Sequence, residues 1–238
     1  IDFRTKADWK THHVLLKAHF PVDVNATRAT YEIQFGNVER ETTNNYSWDT
    51  AKFEACGHKW ADLSENSSGV SLLNDCKYGY SIKKGDMSLT LIKSGTYPNE
   101  DADIGEHRFT YSIYPHAGRW QEAKTVEMAY NLNVPMPVKR IGKQKGCGEE
   151  YDSFLHCDKE SCFIEVIKKA EDGDGVIVRM YENKNNRVRA DITSGRALVH
   201  VYECNLLEEK EAELTVCGTT FETVFKPYEI KTFRLIFA

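Results

Sequence analysis

Apolar side chains in this chain recur at every second position, and that rhythm constrains the possible folds more than any other feature of the sequence. In ATYEIQFGNVER, residues 29–40, Tyr31, Ile33 and Phe35 alternate with Glu32 and Gln34, which predicts one strand with one face buried. HHVLLKAHFPVDV at 12–24 predicts a strand that runs into an edge or turn at Pro21 and Asp23. KFEACGHKWADLSE at 52–65 predicts a strand through Phe53, Ala55 and Gly57 followed by a turn, and MSLTLIKS at 87–94 and HRFTYSIYPH at 107–116 predict two more. Clusters of Gly, Asp, Asn and Pro separate these segments. Together they imply an antiparallel sandwich.

One stretch has the helical period. WQEAKTVEMAY, from Trp120 to Tyr130, combines strong helix formers with apolar groups at Val126, Ala129 and Tyr130. The two prolines of NVPMPV then stop regular structure, and KRIGKQKGCGEEYD at 139–152, with three glycines and many charges, reads as a linker. Beyond it come seven short strand-like segments between 162 and 238, with the turn sequences EDGDG at 171–175 and NKNNR at 183–187 between adjacent strands. That spacing suits a small immunoglobulin-like sandwich. The expected organisation is a larger β-domain over 1–138, a linker or exposed loop over 139–161, and a smaller β-sandwich over 162–238.

Composition removes several functions. The net charge of −5 is spread along 238 residues, with no block of Lys or Arg able to follow a phosphate backbone, so nucleic acid is not an expected partner. No run approaches the length of a membrane span, and residues 1–20 lack the order of a signal peptide, so no membrane partner is expected. Seven cysteines lack the tight pairing of common zinc motifs. The segment holding Cys147, His156, Cys157 and Cys162 is open to a zinc site, but the reading taken is of reduced thiols in a cytoplasmic protein.

The search for chemistry yields candidates without a constellation. Asp49, Glu54, Asp62, Glu65 and Asp75 are carboxylates available to a hydrolase, and the plain alternative for each is a solvated surface group. The histidines, among them His58, His107 and His116, show no metal-binding spacing. Asn25-Ala26-Thr27 and Asn66-Ser67-Ser68 match the glycosylation pattern and are read as surface loops. Trp48, Trp60, Tyr31, Tyr78, Tyr80, Tyr111, Tyr114 and Trp120 are the residue types that stack on sugars, although about two thirds of them are expected in an aromatic core. VSLLNDCKYGY at 70–80 raises the sharpest question, because a buried-strand pattern leads directly into a dense polar group.

Several unbroken stretches carry a resemblance. ATYEIQFGNVERET, SWDTAKFEACGHKWADLSE, GVSLLNDCKYGYS, GEHRFTYSIYPHAG, VIKKAEDGDGVIVRMYE and ECNLLEE are similar to the C-terminal β-region of glycoside hydrolase family 38 α-mannosidases, most closely the cytosolic-type branch, with a bacterial source expected. The resemblance implies an all-β fold, a galactose-mutarotase-like supersandwich followed by a smaller immunoglobulin-like sandwich. It also implies that the chain is a piece of a retaining α-mannosidase whose N-terminal barrel holds a divalent metal of the zinc type, the nucleophile and the acid/base, so no catalytic or metal-binding residue and no cofactor is expected here. The absence of a starting Met is read the same way. The expected partners are that barrel and α-mannoside oligosaccharides, with homo-oligomer formation left open. Tyr31, Gln34, Asn74, Asp75, Lys77 and Tyr78 are the candidates for the substrate rim or the interdomain contact. Turn-building by Asn74 and Asp75, with Lys77 neutralising Asp75, is the competing reading. An autonomous carbohydrate-binding module is the alternative function.

Overall fold

The computed structural model describes residues 1–143, 145, 146 and 152–238. Of the expected linker, residue 144 and residues 147–151, Cys147 among them, lie outside the described residues. The chain divides into two compact units, Ile1–Lys139 and Arg140–Ala238.

The first unit contains strands β1 (Asp2–Trp9), β2 (Leu15–Pro21), β3 (Arg28–Ile33), β4 (Gly36–Glu41), β5 (Ala55–Cys56), β6 (Trp60–Ser64), β7 (Ser68–Asn74), β8 (Gly79–Lys83), β9 (Asp86–Lys93) and β10 (Gly105–Ala117), with helices α1 (Ser47–Thr50) and α2 (Thr125–Asn133). A six-stranded antiparallel sheet runs in the order β1-β10-β7-β6-β3-β4, and a four-stranded sheet in the order β2-β9-β8-β5. Alternation turns one face of each sheet inward. Tyr31, Leu63 and Leu72 from the larger sheet meet Tyr80, Ile82 and Leu89 from the smaller one in a single core. On the outer face of the larger sheet, Trp60 and Leu73 pack with Trp120, Val126 and Ala129 of the α2 region. Both faces of β6 and β7 are therefore covered, which is why SLLN reads as a continuous buried run rather than as clean alternation.

The second unit contains β11 (Leu155–Cys157), β12 (Cys162–Lys169), β13 (Val176–Glu182), β14 (Val188–Ser194), β15 (Leu198–Cys204), β16 (Lys210–Leu214), β17 (Val216–Cys217), β18 (Thr220–Phe225) and β19 (Ile230–Phe237). Its sheets run β11-β14-β18-β17 and β12-β13-β19-β15-β16. Val178, Met180 and Phe233 from the second pack against Ile192, Phe221 and Phe225 from the first. The protein is all-β and antiparallel, as the alternation requires.

Six expectations change at the level of elements. Residues 29–40 are a hairpin, not one strand: the chain reverses at Phe35, whose φ of 56° lies in the left-handed region. Because the apolar alternation continues through that turn, the sequence conceals it, and a bulky residue at positive φ is an uncommon choice there. Residues 52–65 are two strands in different sheets, since β5 pairs with β8 while β6 pairs with β7. The helix expected from Trp120 begins only at Thr125, preceded by turns and by Lys124 at φ 57°. NKNNR at 183–187 is a crossover between sheets, because β13 and β14 belong to different ones, and the second unit has nine strands among the described residues, eight of them within 162–238 where seven were expected. The first of the nine, β11, lies inside the segment read as a loop over 139–161.

Candidate functional site

At the end of β7 the chain turns sharply, and Asn74 builds the turn from within. Its side chain is 1% exposed. The backbone N–H groups of Cys76 and Lys77 donate to its Oδ1 at 3.0 and 2.5 Å, and its Nδ2 donates to the His58 carbonyl at 2.9 Å and to the Tyr80 hydroxyl at 2.5 Å. This is an Asx-type turn in which the amide replaces a missing backbone partner. The Asn74 carbonyl accepts from Asn133 Nδ2 at 2.9 Å, which ties the end of α2 to the same corner. All of these groups are buried or half-buried, and each would cost about 1–3 kcal/mol if stranded without a partner.

Asp75 extends the sheet by one step. Register between β10 and β7 ends at Tyr111 opposite Asn74. Beyond it, Asp75 N–H donates to the Thr110 carbonyl at 3.1 Å while Thr110 N–H donates to Asp75 Oδ2 at 2.8 Å. Lys77 Nζ stands 4.3 Å from the centroid of the Phe109 ring, a cation–π contact. The expected neutralisation of Asp75 by Lys77 is replaced by that contact. The Tyr78 ring is exposed and meets the His58 ring edge-on at 5.1 Å. Burial, followed by the hydrogen bond and charge of Asp75, pushes the Cys76 thiol up to about 11, so it stays protonated at neutral pH.

The structure thus gathers four of the six candidates. Asn74, Asp75, Lys77 and Tyr78 line a cleft of about 200 Å³ together with His58, Lys59, Cys76 and Asn133. Tyr31 and Gln34 are elsewhere. Tyr31 is 2% exposed in the core and meets Tyr80 edge-on at 6.0 Å, and Gln34 sits exposed in the β3–β4 turn. His58, Lys59 and Asn133 are the lining residues that sequence reasoning missed. Lys59 is anchored by the buried Glu32 at 2.9 Å and lies over the Tyr130 ring at 4.6 Å. The only signal for it was the polar pair His58-Lys59 set between Gly57 and Trp60.

The carboxylates expected to be solvated are not all so. Asp62 is 1% exposed: it accepts from Ser71 Oγ at 2.7 Å, pairs with His116 Nε2 at 2.8 Å, and receives the Ser64 hydroxyl. Ser71 Oγ in turn lies 2.8 Å from the Thr125 hydroxyl at the start of α2. Burial opposes charge on His116, but the hydrogen bond and charge of Asp62, with the Ala117 and Gly118 backbone, outweigh it and raise the His116 pKa above its ordinary value. Asp49 is also buried and holds Lys52 at 3.0 Å. Glu54 and Glu65 are engaged by Lys17 and by the Asn25 amide. Of the eight aromatics considered as sugar platforms, only Trp48 and Tyr78 are exposed. Among the described residues, no group of three His, Cys, Asp or Glu side chains could hold a metal ion. Cys157 and Cys162 instead form a hydrogen-bonded thiol pair, in which the bond from Cys162 draws the Cys157 pKa down to about 7. No helix of the described residues is long and apolar enough to cross a membrane.

Comparison with known proteins agrees with this architecture. The family model described as glycosyl hydrolases family 38 C-terminal domain matches residues 1–101, and that described as glycosyl hydrolases family 38 C-terminal beta sandwich domain matches residues 162–233. Alpha-mannosidase G of Dictyostelium discoideum is 41% identical over 240 residues, covering 99% of this chain and 22% of its own length. The alpha-mannosidase of Saccharomyces cerevisiae is 35% identical over 257 residues, covering 98% of this chain and 23% of its own length. The crystal structure of an alpha-mannosidase from Enterococcus faecalis superposes with a TM-score of 0.80 at 17% identity, over 98% of this chain and 27% of that one. The chain spans about a quarter or less of the length of the curated relatives it matches.

Proposed function

Because this chain belongs to the C-terminal region of glycosyl hydrolases family 38, we propose that it is the non-catalytic β-portion of a retaining α-mannosidase that removes terminal α-D-mannose. The observation that carries this reading is that proteins named alpha-mannosidases align over nearly the whole chain while extending far beyond it. In the proposed enzyme the nucleophile and acid/base reside in a separate barrel, and this region packs on that barrel and completes its pocket. The divalent metal that such a barrel implies fits no grouping among the described residues here, so no step is derived through it. We place the enzyme in the cytosolic-type branch and in the cytoplasm. The six described cysteines, all free thiols, support that placement.

The turn at 74–78 is our candidate for the rim. It is held rigidly from inside by Asn74, while the Tyr78 ring and the Asp75 side chain are exposed at its surface. Rigid support beneath exposed polar groups is what a positioning loop requires. Two substitutions in the full-length enzyme test this, Asp75→Ala and Tyr78→Ala, with kinetics on a chromogenic α-mannoside and Tm measured together. A raised KM or lowered kcat beyond what the Tm change explains is expected. Unchanged kinetics with a lower Tm would leave the turn purely structural. The second reading, an autonomous carbohydrate-binding module, is favoured only by the exposed rings of Tyr46 and Trp48, 5.1 Å apart, and it requires that the chain alone retain mannosides.

A further inference from the structure

The two sheets of the first unit end on free strands, β4 in the larger and β5 in the smaller. Between these edges opens a cleft of about 490 Å³, within the range of small-molecule sites, whose apolar walls come from Tyr31, Phe53, Ala55, Tyr80 and Ile82. One cation is built into it. Arg40 on β4 lies opposite Ala29, whose small side chain leaves the space above the sheet to the guanidinium. The Arg40 Cζ is 5.0 Å from the Tyr31 ring centroid, so the group is oriented by an aromatic face. Its Nη1 is buried and has no hydrogen-bond partner.

The neighbouring carboxylates do not serve it. Glu39 and Glu41 also line the cleft, but the carboxylates of both are engaged by Arg28, at 3.4 and 3.2 Å. Asp49 is held by Lys52 at 3.0 Å, and Glu54 by Lys17 at 3.0 Å together with the Thr90 hydroxyl. Burial pushes the Tyr31 phenol up to about 12 despite the pull of Arg40, so its ring remains a neutral platform. A buried guanidinium N–H without a partner is costly, and a planar carboxylate is the acceptor whose geometry it matches.

We propose that this edge cleft binds a small organic carboxylate of monosaccharide size, with the acid group on Arg40 Nη1 and the body of the molecule against Phe53, Ala55 and Ile82. Phosphate is a poorer match, because it would ask for several donors and, although Lys52 and Lys83 also line the cleft, Lys52 is held by Asp49 and the buried unpaired N–H is that of Arg40 alone among the lining residues. The competing role for Arg40 is that of an inward-pointing charge that guards a sheet edge against pairing.

The test is titration of the 238-residue chain with D-glucuronate, benzoate, D-mannose and inorganic phosphate. It is followed by calorimetry and by the arginine side-chain ¹⁵N resonances. The expected result is saturable binding of at least one of the two acids, a shift of the Arg40 resonance at saturation, and about tenfold or greater weakening in Arg40→Gln, the size expected for losing a charge-assisted hydrogen bond. Should Arg40→Gln not fold, the Arg40 resonance of the unaltered chain decides. An Arg40 resonance that neither acid moves would establish the edge-guard role and overturn the proposal. Tighter binding of phosphate than of either acid, or binding of mannose that Arg40→Gln leaves intact, would overturn it as well.

Discussion

The turn at 74–78 and the cleft between the free edges are built from similar side chains but differ in how those side chains are satisfied. In the turn, the buried amide of Asn74 is bonded on both its oxygen and its nitrogen, and Asp75 completes a backbone pair with Thr110. In the cleft, the carboxylates are paired among their neighbours while Arg40 Nη1 is left over. A dense cluster of polar residues is therefore not by itself a sign of recognition. What separates scaffold from receptor is the bond that the chain does not make to itself.

The largest effect that follows is on stability. Asn74→Ala strands the Cys76 and Lys77 amides, while the Tyr80 hydroxyl still donates to the His58 carbonyl at 2.8 Å, and should cost about 3 kcal/mol by the ordinary penalty for unpaired buried groups. Urea denaturation measures this directly, and a loss below about 1 kcal/mol would show that water replaces the side chain. The next effect probes the buried network beneath α2. The His116 pKa is raised in the folded state. Its contribution to stability is therefore present in full below the unfolded value of about 6.5 and is lost as pH rises through the folded value. His116→Gln keeps a donor for Asp62 but does not titrate, so the Tm gap between the unaltered chain and the variant should be wider at pH 6 than at pH 8. A gap independent of pH would mean that His116 folds in its neutral form.

Smaller effects sharpen the contrast. Asp75→Ala removes one exposed acceptor from the Thr110 amide and should cost about 1 kcal/mol by equilibrium unfolding. Lys77→Met, which removes a half-buried cation from over Phe109, should cost about 0.5 kcal/mol. Arg40→Gln should be neutral or mildly stabilising in the unliganded chain, because it withdraws an unpaired cation. A marked destabilisation would mean that the cleft is scaffold after all.

Much of the fold was legible because burial imposes a period that sequence records. Alternation located β9, β10 and most strands of the second unit, though not β11, and the two prolines after Asn133 marked the end of α2. The β3–β4 reversal was not legible, since Phe35 enters the left-handed region without the Asn-Gly or Asp-Gly signature of a tight hairpin and keeps the apolar rhythm. The site was half legible. NDCKY stood out because polar groups cannot follow a buried strand unpaired, and all five of its residues do share a cleft. Tyr31 and Gln34 could not be separated from that group by sequence, because alternation predicts which face a residue takes but not what covers that face. Asp62 was read as a surface carboxylate for the same reason. Its partner His116 lies 54 residues away in the chain, and only the pairing of β10 with β7 and of β7 with β6 brings the two together.

The most direct test of the non-catalytic role is hydrolysis of a chromogenic α-mannoside by the 238-residue chain alone, with zinc or cobalt added, and again after mixing with the remainder of the full-length mannosidase. Silence of the chain by itself, with turnover restored on mixing, is the expected result. Turnover by the chain alone would place the reaction centre within these residues and contradict the assignment.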